Sequence, residues 1–263
     1  MPIVMSEEAL AKAYWAAKKK IDAGDIPTLP LYPKQTLYRS IDPTKSYTYL
    51  PKPANGQPVS RMLADKMLSP GDGMREGVMN RFSGLPLAEG HPGVVTSASY
   101  GPPGSAPGSA TRGIPAAGGL YCVLQQQALV NEAAHYSRKV PVWSLANRCV
   151  LKIRLTTLMQ VADLSPHNPR ALRFLRELGV GTWEEMTDPK DCSVARGIGL
   201  AVAQSSFLAG LAVQTVRSSE RSEEERGDNL VLYGPQGKMI PGIQVEEVYF
   251  FGKTYEPEVF PVA

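Results

Sequence analysis

Strand-like and helix-like patterns follow one another irregularly along this chain, with no repeated strand–helix–strand rhythm. Doubly wound sheets and α/β barrels need that rhythm, so its absence points to an α+β domain. Residues 6–23 read as a helix. Ser6 suits the N-cap, Glu7 and Glu8 the positive end, Lys18, Lys19 and Lys20 the negative end, and Gly24 a left-handed stop. A proline-rich connector is expected over 27–33, a short strand over 36–41, loop over 42–60 and a short helix over 60–68. Residues 119–123 read as a strand that leads into a helix over 125–137. The alternating VLKIRL at 150–155 suits a half-buried strand. An amphipathic helix follows at 169–178, carrying Leu172, Leu175 and Leu178, then a small, apolar helix over about 193–208. Strands at 211–217 and 229–233 flank a charged hairpin, and a last strand is expected at 244–251.

A chain of 263 residues, 43% hydrophobic and 20% charged, is long enough to bury a sizeable core as one elaborated domain. The 20 residues SYGPPGSAPGSATRGIPAAG (99–118) bury too little apolar surface to offset the entropy of ordering them, and read as a flexible surface loop. A net charge of +3, from 28 basic and 25 acidic residues, gives no electrostatic reason to expect direct nucleic-acid binding. No apolar run approaches the roughly 20 residues that span a membrane, so no membrane partner is expected. Charged Glu7, Glu8 and Lys12 interrupt any signal-peptide pattern. The three cysteines, Cys122, Cys149 and Cys192, form no C-x-x-C pair and suit a reducing cytoplasm. His91, His135 and His167 are scattered, and no metal is expected.

Familiar motifs are absent or incomplete. Gly197-Ile198-Gly199 lacks the third glycine of a dinucleotide loop and lies in a helical pattern, which points to close helix packing. There is no P-loop and no G-x-S-x-G. Asp163, Glu184, Glu185 and Asp188 show no pairing suited to glycosidase chemistry. Glu132 stands out, because helical spacing puts it on one side with Leu124, Ala128, Leu129 and Tyr136. It is either a surface glutamate at a domain edge or an acid with a partner or a task. Tyr38-Arg39 and Arg81-Phe82 each set an arginine beside an aromatic ring, in an arrangement that serves surface ion pairs or, through the guanidinium fork, a phosphate. Tyr121 is either core or a ring that stacks on a flat ligand.

Taken in order, these pieces resemble the RES-domain family. The strand Leu37-Tyr38-Arg39 matches the family's Tyr-Arg strand, and Arg81-Phe82-Ser83 its next segment. Leu120-Tyr121-Cys122-Val123 leads to Glu132 at the family's Tyr-to-Glu spacing. GLAVQTVR, from Gly210 to Arg217, and Asn229-Leu230-Val231-Leu232-Tyr233 match its last two strands. The resemblance spans about residues 36–240. It departs at Gln214-Thr215, where the family has Pro-Ser, and at Val123, where it has Ala. Thr keeps the hydroxyl but adds a methyl and a stiffer χ1.

The resemblance implies an ADP-ribosyltransferase-like fold with short mixed sheets, flanking helices and long loop insertions. The implied division is an N-terminal helical extension over 1–35 and a NAD-binding catalytic domain over 36–263. The implied activity is that of a toxin that depletes NAD+ by hydrolysis or phosphorolysis of the nicotinamide–ribose bond. A protein mono-ADP-ribosyltransferase and a weakly active or inactive interaction protein are the alternatives. Glu132 would stabilise the oxocarbenium-like charge and orient the attacking water or phosphate. Arg39 and Arg81 would hold the pyrophosphate or an attacking phosphate, Tyr121 would stack on nicotinamide or ribose, and Thr215 would take the place of the family's Ser. Ser83 and Arg217 would be further ligand contacts. A cognate antitoxin or immunity protein would cover the cleft. The site of action would be the cytoplasm, its own or that of a bacterium reached through a specialised secretion system.

Overall fold

A computed structural model describes residues 6–44, 48–69, 118–126, 128–129, 146–182, 193–214, 228–234, 238–252 and 256–263. Its first helix, α1, is Glu7–Asp22. The Ser6 hydroxyl accepts from the Ala9 N–H at 3.2 Å, and Gly24 takes the left-handed conformation at φ +73. Two lysines near its C-terminal end are held by neighbours: Lys18 pairs with Asp22 at 2.8 Å, and Lys20 with Asp25 and Glu177. The other helices described over their whole length are α2 (Arg61–Lys66), α3 (Pro169–Glu177) and α4 (Ser193–Ala203).

The strands are β1 (Thr28–Leu31), β2 (Thr36–Ile41), β3 (Gly118–Val123), β4 (Cys149–Leu155), β5 (Met159–Asp163), β6 (Gly210–Gln214), β7 (Asp228–Gly234), β8 (Ile243–Phe251) and β9 (Pro257–Pro261). Among the described residues they join in one nine-stranded sheet in the order β1-β5-β6-β7-β3-β2-β4-β8-β9. Among these nine strands the β5–β6 pairing alone is parallel, and an isolated parallel bridge joins Val59 to Val262. The chain is therefore α+β, as expected, but its strands form a single large sheet rather than several short ones.

Some boundaries differ from the expectation for local physical reasons. β1 falls in the proline-rich connector. It is an edge strand, where Pro30 can lack an N–H without breaking a second ladder. β9, the other edge, likewise has prolines at both ends. α4 stops at Ala203, short of 208, because the Ser205 hydroxyl accepts from the N–H groups of Phe207 and Leu208 and turns the chain. β6 is described over Gly210–Gln214; Thr215 to Arg217, expected in the same strand, lie outside the described residues.

Strand alternation sorts the buried side chains to two faces. Leu37, Leu120, Cys122, Leu151, Ile153, Val161, Ala212 and Leu232 form the far face, covered in part by Ala64 of α2 with Met67 and Leu68. The opposite, helix-side face carries Ala162, Leu211, Val213 and Val231 against Leu10, Tyr14, Phe174, Ile198 and Leu200 of α1, α3 and α4. Residues 6–31 supply both a core helix and an edge strand.

The helix pair α1–α4 depends on Gly197. A Cβ there would lie 2.5 Å from the Leu10 carbonyl oxygen and 2.9 Å from the Ala13 Cβ. Beside this contact, the Ser193 hydroxyl accepts from the Ser6 N–H at 2.8 Å. Gly197-Ile198-Gly199 is a packing feature here. On an exposed helix Gly→Ala would stabilise by up to about 1 kcal/mol. In this contact Gly197→Ala is expected to destabilise by about 1–3 kcal/mol, because the clash is with backbone. Urea denaturation will show a lower midpoint at unchanged m; an unchanged or higher midpoint contradicts the packing account.

Candidate functional site

β2 and β3 are neighbours in the sheet but meet at one residue pair, Tyr38 with Val123. On their other sides they are fully laddered, β2 to β4 over Thr36–Ile41 and β3 to β7 over Gly118–Val123. The sheet thus has a seam. Past Tyr38 the strands part, and Arg39 spans the gap: its Nη1 donates to the Tyr121 carbonyl oxygen at 3.0 Å. Two residues singled out separately in the sequence are therefore brought together across the seam.

Their side chains leave opposite faces. Arg39 alternates with Leu37 and Ile41 on the far face, close to Cys122. Burial pushes the Cys122 thiol up to about 12, against the opposing influence of Arg39, and burial likewise pushes Cys149 up to about 12. Neither thiol has thiolate character at neutral pH. The Tyr121 ring lies on the helix-side face, half-buried beside Tyr233 of β7. Burial first, and then Tyr121, raises the Tyr233 hydroxyl well above its ordinary range. Tyr233 keeps its proton there and acts as a neutral donor or acceptor.

Across the seam the same face continues over β2, β4 and β8. Val123, Ala128, Leu129, Val150 and Phe251 form a small core against which Tyr38 and Tyr249 pack. Ala128 and Leu129 are the described residues nearest to Glu132 in the chain. Glu132 itself, Arg81, Ser83, Thr215 and Arg217 lie outside the described residues.

Beside this small core lies a polar network not anticipated from the sequence. Lys152 of β4 stands opposite both Tyr38 of β2 and Glu247 of β8. The Tyr249 hydroxyl donates to Glu247 Oε2 at 2.6 Å, and Lys152 Nζ donates to the same oxygen at 3.1 Å. These two donors, Tyr249 first, hold the Glu247 carboxyl below its ordinary value of 4.5. Arg148 Nε donates to the Ser40 hydroxyl at 2.7 Å. The β4–β8 register slips next to Lys152, between Lys152 and Ile153. VLKIRL and VEEVYFF each show polar residues on one strand face, but their juxtaposition depends on a pairing between residues 95 apart.

Among the described residues, no group of three His, Cys, Asp or Glu could hold a metal ion, and no helix is long and apolar enough to cross a membrane. No family model and no curated protein matches the chain. Among solved structures, the chain is similar to one in the "Crystal structure of the M.tuberculosis MbcT-MbcA toxin-antitoxin complex". The TM-score is 0.51 at 18% identity, covering 90% of this chain and 93% of that one. At that identity the likeness shows a shared fold.

The Glu247 network carries a pH signature. Its folded-state pKa is depressed, so its stabilisation is present above the unfolded value near 4.5 and is lost as pH falls through the folded value. Tyr249→Phe removes the main cause of that shift. It is expected to lower stability at pH 7 by about 0.5 kcal/mol, the low end for a hydrogen bond because the site is partly solvated. The difference from wild type should shrink below pH 4.5. Urea denaturation between pH 3 and 7 measures it, and a pH-independent difference would contradict the assignment.

Proposed function

We propose that this protein is a RES-type toxin that depletes NAD+ by cleaving the nicotinamide–ribose bond, with water or phosphate as acceptor. The observation that carries the reading is the fold likeness to a chain of a toxin–antitoxin complex over nine tenths of both chains. It is supported by the meeting of Arg39 and Tyr121, two elements of the resembled motif, across an 82-residue separation.

The chemistry asks little of the leaving group, since nicotinamide departs from a cationic nitrogen without protonation. The barrier lies in the positive charge that develops on the ribose, and a fixed carboxylate beside it lowers that barrier. Glu132 takes this role and orients the attacking oxygen. Tyr121 offers a half-buried ring on the helix-side face for nicotinamide or ribose to stack on. Arg39 anchors the main chain under that ring and sets positive charge at the seam for the pyrophosphate. Arg81 joins it there. Thr215 supplies the hydroxyl that the family's Ser supplies, with Ser83 and Arg217 as further contacts. No metal enters this scheme. A toxin of this kind requires restraint, so a cognate antitoxin or immunity protein seated over the cleft belongs to the proposal, as does action in the cytoplasm.

Purified protein incubated with NAD+ should release nicotinamide. Glu132→Ala should slow release by about 10²–10³-fold, the scale of one lost electrostatic stabiliser, and Arg39→Ala should also slow it. A requirement for phosphate would identify phosphorolysis. Mass added to a co-incubated protein would replace the proposal with a protein mono-ADP-ribosyltransferase. No release and no added mass would leave an interaction protein on this fold.

A further inference from the structure

The helix-side face beyond the seam holds more hydrogen-bonding capacity than the described residues use. Both bonds to the Glu247 carboxylate fall on Oε2, and Oε1 accepts from no protein group among the described residues. Among the described residues Lys152 uses one of its three N–H groups, on that carboxylate. The Tyr38 hydroxyl makes no hydrogen bond within the described residues, although it lies close enough to Tyr249 to influence its titration. All of these side chains are partly exposed; those of Lys152 and Glu247 are 26% and 35% exposed.

An oriented carboxylate oxygen is an acceptor for sugar hydroxyls, and a diol can give it two donors. An ammonium is a point-charge partner for a phosphate oxygen. The neighbouring rings of Tyr38 and Tyr249 give apolar surface on which a sugar face or a base can rest. A bare phosphate is disfavoured, because Glu247 lies only 3.1 Å from the ammonium that would bind it. A ligand bearing hydroxyls on one side and a phosphate on the other satisfies both charges.

We infer that Tyr38, Lys152, Glu247 and Tyr249 form a subsite for a ribose phosphate, with Glu247 accepting from the sugar hydroxyls and Lys152 contacting the phosphate. The inference rests on the NAD+ reading and deepens it. The part of the dinucleotide not held at Tyr121 extends over β2, β4 and β8, so specificity for a nucleotide is set on both sides of the seam.

Calorimetric titration with ADP-ribose, which lacks the nicotinamide and is not turned over, tests the subsite in the full chain. Glu247→Gln and Lys152→Met should each weaken binding by about tenfold, the scale of a hydrogen bond to a charged group. Thermal unfolding checks that each variant is folded, and either variant alone suffices if the other is not. Wild-type affinity in folded variants overturns the subsite while leaving the NAD+ reading intact. If wild-type protein binds neither ADP-ribose nor, in a Glu132→Ala background, NAD+, the NAD+ reading fails and the subsite fails with it.

Discussion

The seam between β2 and β3 is the constraint on which the rest of the structure depends. A sheet interior cannot leave main-chain groups without partners, because an unmade hydrogen bond in a dry environment costs more than a made one contributes. Here two adjacent strands share one residue pair, and the Arg39 guanidinium supplies a donor to the Tyr121 carbonyl where the ladder has opened. The halves stay joined through the far face, where Leu37, Leu120, Cys122 and Leu151 belong to one continuous apolar cluster. The far face thus closes the core beneath the seam, while half-buried aromatic side chains flank it on the helix-side face.

The polar side chains follow from that division. The far face is almost wholly apolar, with Arg39 at the seam. The helix-side face has two characters: α1, α3 and α4 cover the β5–β6–β7 part, and their tight approach depends on Gly197. Around the seam the same face carries half-buried tyrosines, Tyr38, Tyr121, Tyr233 and Tyr249, with Lys152 and Glu247 among them. Tyrosine combines apolar area with a polar tip, and a row of them beside an ion pair suits a flat, polar, charged molecule better than it suits a sealed core. The proposed NAD+-consuming activity uses both sides of the opening.

Local patterns made much of the fold legible. The cap at Ser6, the stop at Gly24, the strand at 36–41 and the glycine pair of α4 each follow from side-chain chemistry within a few residues. Legibility failed where tertiary context decides. Thr28–Leu31 is a strand because an edge tolerates its proline, and Ser205 ends a helix whose apolar pattern runs on. Met159–Asp163 and Pro257–Pro261 are short strands fixed by their neighbours. For the site, Arg39 and Tyr121 were legible as single residues, but their contact, and the opposite faces their side chains take, were not. Lys152 and Glu247 carry no signal of their own in the sequence, because nothing local tells a chain which distant strand will lie beside it.

Hydrogen exchange read by mass spectrometry tests the central claim, that NAD+ is bound at the seam, most directly. A Glu132→Ala protein saturated with NAD+ should exchange more slowly over residues 36–41 and 118–123 than the free protein, while 257–261 at the sheet edge stays unchanged. Unaltered exchange in both seam strands at saturation would contradict the account.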